Sequence, residues 1–146
     1  MRSLSSESGN MKIAVSTFKG GLEDSICPTF GRCPTFTILE VDEKEKKILN
    51  ANVTPNPGGR AGGGAGIAAA QAIVNSGAKS LITGNCGPNA MAVLAQAGIH
   101  TYLSGGKVGD AVRSLLEGKL PAVNVPTVPG HFGMGSERKR FGRGLR

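Results

Sequence analysis

Lys12-Ile-Ala-Val-Ser-Thr17 is a short apolar run ending in two hydroxyl residues, the pattern of a buried first strand. Gly20, Gly21, Pro28, Gly31 and Pro34 then crowd residues 18 to 34 with breakers, so a long loop is expected there. Thr35-Phe-Thr-Ile-Leu-Glu-Val41 alternates, the charged turn Asp42-Glu-Lys-Glu45 follows, and Lys47 to Val53 completes a hairpin of strands two and three. After a second breaker-rich loop, residues 54 to 66, Ile67-Ala-Ala-Ala-Gln-Ala-Ile-Val-Asn-Ser-Gly77 reads as a helix closed by glycine. Ser80-Leu-Ile-Thr83 is a buried strand, Pro88 opens a second helix through Ala97, and Gly98 ends it. Ile99 to Leu103 is the fifth strand and Val108 to Glu117 the third helix, closed by Gly118.

This alternation predicts a mixed sheet with helices on its faces. Right-handed crossovers place strands four and five parallel to strand one, which the order 3-2-1-4-5 satisfies. That is the five-stranded arrangement of a ribonuclease-H-like, three-layer α/β/α domain. The two breaker-rich loops and the ends of strands four and five then emerge at one edge of the sheet, where ligands of open α/β sheets bind.

A chain of 146 residues fits one domain. The expected boundaries are a disordered extension over 1–10, the domain over 11–121, and a Pro- and Gly-rich basic flexible tail over 122–146. Residues 1–10 lack the apolar stretch of a secretory signal, and no run approaches the roughly 18 apolar residues of a membrane span, so a cytoplasmic protein is expected. The net charge of +7 changes meaning once it is located: residues 131–146 carry five basic residues against Glu137, whereas 11–130 carry an ordinary balance. The tail supports a second reading, a module for nucleic acid or another anionic partner.

Three cysteines in a reducing compartment point toward metal or redox chemistry rather than disulfides. Cys27 and Cys33 follow strand one, and Cys86 follows strand four, so the predicted topology brings them to the same edge. Cys86 precedes a helix, whose dipole is expected to favour its thiolate. Soft thiolates select iron–sulfur clusters, zinc or copper(I), against the alternative that isolated cysteines are small core hydrophobes. The loop Gly58-Gly-Arg-Ala-Gly-Gly-Gly-Ala-Gly66 opens onto a helix and offers amides to an anion. It lacks the Gly-Lys-Ser/Thr ending of a phosphate loop, and its glycines also suit close helix packing. Catalytic signals are poor. Strand one carries no acid of the kind a metal-dependent nuclease needs, and a Cys86 nucleophile lacks a base, because His100 lies in a strand and His131 in the tail.

Thr29-Phe-Gly-Arg-Cys-Pro34, Gly63-Gly-Ala-Gly-Ile67, Gly84-Asn-Cys-Gly-Pro-Asn-Ala90 and Ala97-Gly-Ile99, in this order, resemble the dinitrogenase iron–molybdenum cofactor biosynthesis family, in its small stand-alone form, over Met11 to Pro121. The resemblance implies a ribonuclease-H-like fold that binds, carries or stores an iron–sulfur or iron–molybdenum–sulfur cluster without catalysis. Family members often have histidine where Thr29 stands, so a histidine ligand does not carry over. Cys33 and Cys86 become the leading metal ligands, with Cys27 third, and Arg32, Gly63, Gly64, Gly66, Asn85 and Gly87 the surrounding cofactor-binding set. The implied partners are proteins that donate or accept the cluster, with a second copy of the chain as a further possibility and no membrane.

Overall fold

The computed structural model of the chain describes residues 10–60 and 64–123, with residues 59 and 60 as backbone alone. Six strands form one sheet in the order β3-β2-β1-β4-β5-β6. β1 (Asn10–Thr17) runs antiparallel to β2 (Thr35–Asp42), which pairs with β3 (Lys47–Pro55). On its other side β1 lies parallel to β4 (Ser80–Thr83), which lies parallel to β5 (His100–Leu103). The expected order holds over five strands, and a sixth corrects it. β6 (Ala122–Val123) pairs antiparallel with β5, Thr101 opposite Val123 and Tyr102 opposite Ala122. Two paired residues after Pro121 carry no readable periodicity, so they fell in the expected tail.

Among the described residues three α-helices connect the strands: α1 (Ala65–Ser76), α2 (Pro88–Gln96) and α3 (Val108–Leu116). α1 starts two residues before the predicted Ile67, and Gly77 closes it in the left-handed conformation, φ 84°, its N–H donating to Val74 O at 3.2 Å. β1 is the central strand, and Ile13, Ala14 and Val15 are fully buried because both faces are covered. On one face, Ala69, Ala70 and Ile73 of α1 and Ala90, Met91 and Leu94 of α2 pack against Ala14, Phe36 and Leu81. On the other, Val108, Ala111 and Val112 of α3 pack against Ile13, Val15, Leu39, Val41 and Ile82. The period-two alternation of β2 divides Phe36 from Leu39 and Val41 between these two cores. β3, at the end of the sheet, is exposed along nearly its whole length. No helix among the described residues is long and apolar enough to cross a membrane. Residues 1–9 and 124–146, which hold most of the expected extension and tail, lie outside the described residues.

Candidate functional site

The register sets the edge. Thr17 at the end of β1 faces Thr35 at the start of β2, which faces Pro55 at the end of β3, while β4 and β5 end at Thr83 and Leu103. The loops after β1, β3 and β4 therefore meet there, as the topology predicted. The loop after β1 opens with a tight turn in which Asp24 Oδ2 accepts the N–H groups of Phe18, Lys19 and Gly20, each at 2.8 Å. Cys27 N–H then returns to Ser16 O at 2.8 Å, and Phe30 enters the core against Phe36, ring centroids 5.4 Å apart. Beyond Cys27 the loop crosses the β4–α2 connection. Thr29 and Asn85 form a parallel bridge, and Phe30 N–H donates to Asn85 O at 3.3 Å.

Cys27, Cys33 and Cys86 consequently share one core cluster, as far as neighbouring strands alone can bring them. Their exposures are 5%, 0% and 1%. Burial pushes the thiols of Cys33 and Cys86 up to about 12 and raises that of Cys27, so all three are protonated at neutral pH. The expectation that the helix dipole favours a Cys86 thiolate is corrected: desolvation outweighs it. Cys33 donates its S–H to Phe30 O at 3.2 Å. No group of three His, Cys, Asp or Glu among the described residues is placed to hold a metal ion.

The glycines divide into two kinds. Gly64 and Gly87 are the N-caps of α1 and α2, neither helix has a side-chain cap or an acid in its first turn, and Gly64 faces open space at φ 70°. Gly66 lies where the two helices meet: a Cβ there would stand 3.5 Å from Ala90 Cβ and 3.8 Å from Ala90 N, ordinary contact. The N-termini of α1 and α2 thus abut, and the orphan first-turn amides, which in α2 begin only after Pro88, lie at this edge without a side-chain acceptor at either cap. Arg32 is exposed on the neighbouring loop, one residue from Gly31, whose own Cβ would meet Gly66 backbone at 3.2 Å. Asn85 contributes its carbonyl to the loop crossing. Gly63 lies outside the described residues, as do His131 and the basic tail.

Sequence reasoning missed Asn56, Ser16 and Thr83. Asn56 is 5% exposed, and its Nδ2 donates to Cys33 O at 2.8 Å and Gly31 O at 3.2 Å and lies 3.5 Å from Cys33 Sγ. Its Oδ1 accepts Gly58 N–H at 2.8 Å. The only sequence signal was an Asn-Pro pair in a breaker-rich loop. Ser16 and Thr83, both fully buried, join their hydroxyls at 2.8 Å under the same loops.

Comparison with known proteins gives a consistent result. Residues 11–118 match the model of the dinitrogenase iron–molybdenum cofactor family. An uncharacterised protein of Methanocaldococcus jannaschii is 34% identical over 111 residues, which span 75% of this chain and 89% of that protein. Among solved structures, the apo form of the orange protein from Desulfovibrio gigas is 35% identical with a TM-score of 0.72, over 81% of this chain and 97% of that one. A NifB-like protein from Thermotoga is 27% identical with a TM-score of 0.65, over 81% and 97% of the two chains.

Proposed function

The chain belongs to the dinitrogenase iron–molybdenum cofactor family, and from that premise we propose that it binds and carries, or stores, a metal–sulfur cluster of the iron–sulfur or iron–molybdenum–sulfur kind without catalysing a reaction. The cluster is cargo here, exchanged with donor and acceptor proteins in the cytoplasm. The observation that carries the reading is the abutment of two helix N-termini, each capped by a glycine, at the carboxyl edge of the sheet. Metal–sulfur clusters are anionic assemblies, and paired first-turn amides favour an anion. In this reading Gly63, Gly64, Gly66, Asn85 and Gly87 supply backbone around the cargo, and Arg32 supplies positive charge. Cys33 and Cys86 are the leading metal ligands and Cys27 the third. Ligation by any of them requires the loops to part and the thiol to lose a proton, so uptake through sulfur releases protons.

A non-catalytic role accords with protonated thiols, which are poor nucleophiles. The ribonuclease-H-like reading of the architecture belongs to the same proposal: β1 ends in Ser16 and Thr17, where a metal-dependent nuclease would need an acid.

The test is anaerobic reconstitution with iron and sulfide, quantifying both per chain with visible and electron paramagnetic resonance spectra. Wild type is compared with Arg32→Glu, Cys33→Ala and Cys86→Ala. Stoichiometric cluster in wild type, reduced in Arg32→Glu and lost in either cysteine variant, is the expected result. Equal trace metal in all four proteins would remove the cluster reading.

A further inference from the structure

The chain has 17 basic and 10 acidic residues, yet the twelve residues of α1 and the nine of α2 include none of them. α3, which covers the opposite face of the sheet, has an ordinary charged exterior, where Asp110 and Arg113 pair at 3.2 Å. The solvent side of α1 runs Ile67, Gln71, Val74 and Asn75, the spacing of one helix face. Ile67 is 42% and Val74 38% exposed, two of the five large hydrophobics left exposed among the described residues. A groove of about 350 Å³ between the two helices is lined by Gln71, Val74 and Asn75 on one side and Val93, Gln96 and Ala97 on the other. Its walls are therefore aliphatic side chains interleaved with carboxamides.

We infer that this face is where two copies of the chain meet, α1 and α2 of one protomer against α1 and α2 of its partner about a two-fold axis. Charge argues for a second copy. An isologous contact sets each surface against itself, so any excess of one sign is doubled across it. In a chain of net charge +7, a face without charge adds no such repulsion, and depletion of charge is what marks the centre of protein interfaces. The polar groups argue the same way. A carboxamide carries both donor and acceptor, so Gln71, Asn75 and Gln96 can each pair with a carboxamide of an identical surface, which a row of like charges cannot do. Size sets the strength. Helices of twelve and nine residues, side by side, present a projected face on the order of 300 Å², well short of the ~800 Å² per partner of a standard stable interface. The dimer is therefore weak and concentration-dependent, with a dissociation constant on the order of tens of micromolar or weaker. The inference goes beyond the cluster reading and does not draw on it.

The test is sedimentation equilibrium of the full chain, without metal and with a thiol reductant, from about 5 to 500 µM, which brackets an interface of this size. Wild type is expected to pass from monomer toward dimer across that range. Gln71 is exposed, so Gln71→Glu and Gln71→Lys change the charge of the face without disturbing the core. Each is expected to weaken association about tenfold or more, and an equimolar mixture of the two to recover it, because opposite charges then meet across the axis. Asp110→Asn/Arg113→Gln, which removes the ion pair on α3 at unchanged net charge, is expected to leave association as it was. Wild type that stays monomeric to about 500 µM overturns the inference and leaves the face to a different protein. A dimer that ignores both Gln71 variants, or one that the mixture does not restore, places the contact elsewhere and overturns it too. Neither the wild-type series nor the mixture depends on cluster uptake, so this inference and the cluster reading fail separately.

Discussion

Gly84 lies directly beneath Pro28: a Cβ on Gly84 would stand 2.5 Å from Pro28 Cα and 3.0 Å from Pro28 O. At this contact the loop after β1 crosses the connection after β4, and it is what brings the segments of Cys33 and Cys86 into one cluster. Backbone, rather than a flexible side chain, occupies the space, so the neighbour cannot yield cheaply. Gly84→Ala is expected to destabilise the fold by ~2–3 kcal/mol through overpacking. Urea denaturation measures it, and a loss below about 0.5 kcal/mol, an ordinary surface effect, would contradict this reading of the crossing.

Gly58 and Gly66 predict opposite outcomes within one loop and helix. A Cβ on Gly58 collides with Ala65 O, whereas one on Gly66 makes ordinary contact with Ala90 Cβ. Gly58→Ala is expected to cost ~2 kcal/mol or more by forcing backbone apart. Gly66→Ala is expected to be neutral or to stabilise by up to ~1 kcal/mol, since alanine is the better helix former. Thermal melts of the two variants side by side check the sign of each.

The buried hydroxyl pair gives a third expectation. Ser16 Oγ donates to Cys27 O at 2.7 Å, so its single proton is used and Thr83 Oγ1 donates to Ser16 Oγ at 2.8 Å. Ser16→Ala strands both the Cys27 carbonyl and the Thr83 hydroxyl in a dry site, at a cost of ~1–3 kcal/mol. The companion Ser16→Ala/Thr83→Val, which removes both hydroxyls, is expected to recover part of that loss. A double-mutant cycle by chemical denaturation shows whether the two are coupled.

At high pH the thiols set the stability. Burial raises Cys33 and Cys86 from 9.0 to about 12, so the folded chain holds two protons that the unfolded chain releases. Their contribution is fully present below pH 9 and declines as pH rises toward 12, by ~1.4 kcal/mol per pH unit for each thiol. Urea midpoints measured from pH 8 to 11 are expected to fall, and Cys33→Ala and Cys86→Ala each to flatten the slope. Asp24 acts in the opposite range. Burial pulls its carboxyl up, but hydrogen bonds from the amides of Gly20, Ser25, Lys19 and Phe18 outweigh that and hold it below its ordinary 3.8. Its contribution is present above 3.8 and is lost as pH falls through the lower folded value, so Asp24→Asn is expected to weaken the acid dependence along with the 18–24 turn.

Periodicity and punctuation made much of this architecture legible in the chain. The uninterrupted run at Ile13 to Val15, the alternation of Phe36 to Val41, Pro88 at a helix start and Gly77 at a helix end are local signals, and right-handed crossovers turned them into the order of five strands. The same order brought Cys27, Cys33 and Cys86 to one edge, because adjacency of β1 and β4 follows from topology. Local signals failed where contacts are distant and polar. The pairing of Ala122 and Val123 with β5 depends on an edge that only the assembled sheet offers. The burial that reverses the helix-end preference of Cys86 is a property of the packed loops, since desolvation depends on every neighbour and the helix dipole only on the next turn. Asn56 is the sharpest case. Its partners Gly31 and Cys33 lie more than twenty residues away, and a lone asparagine before a proline reads as a turn until the fold brings those carbonyls to its side chain.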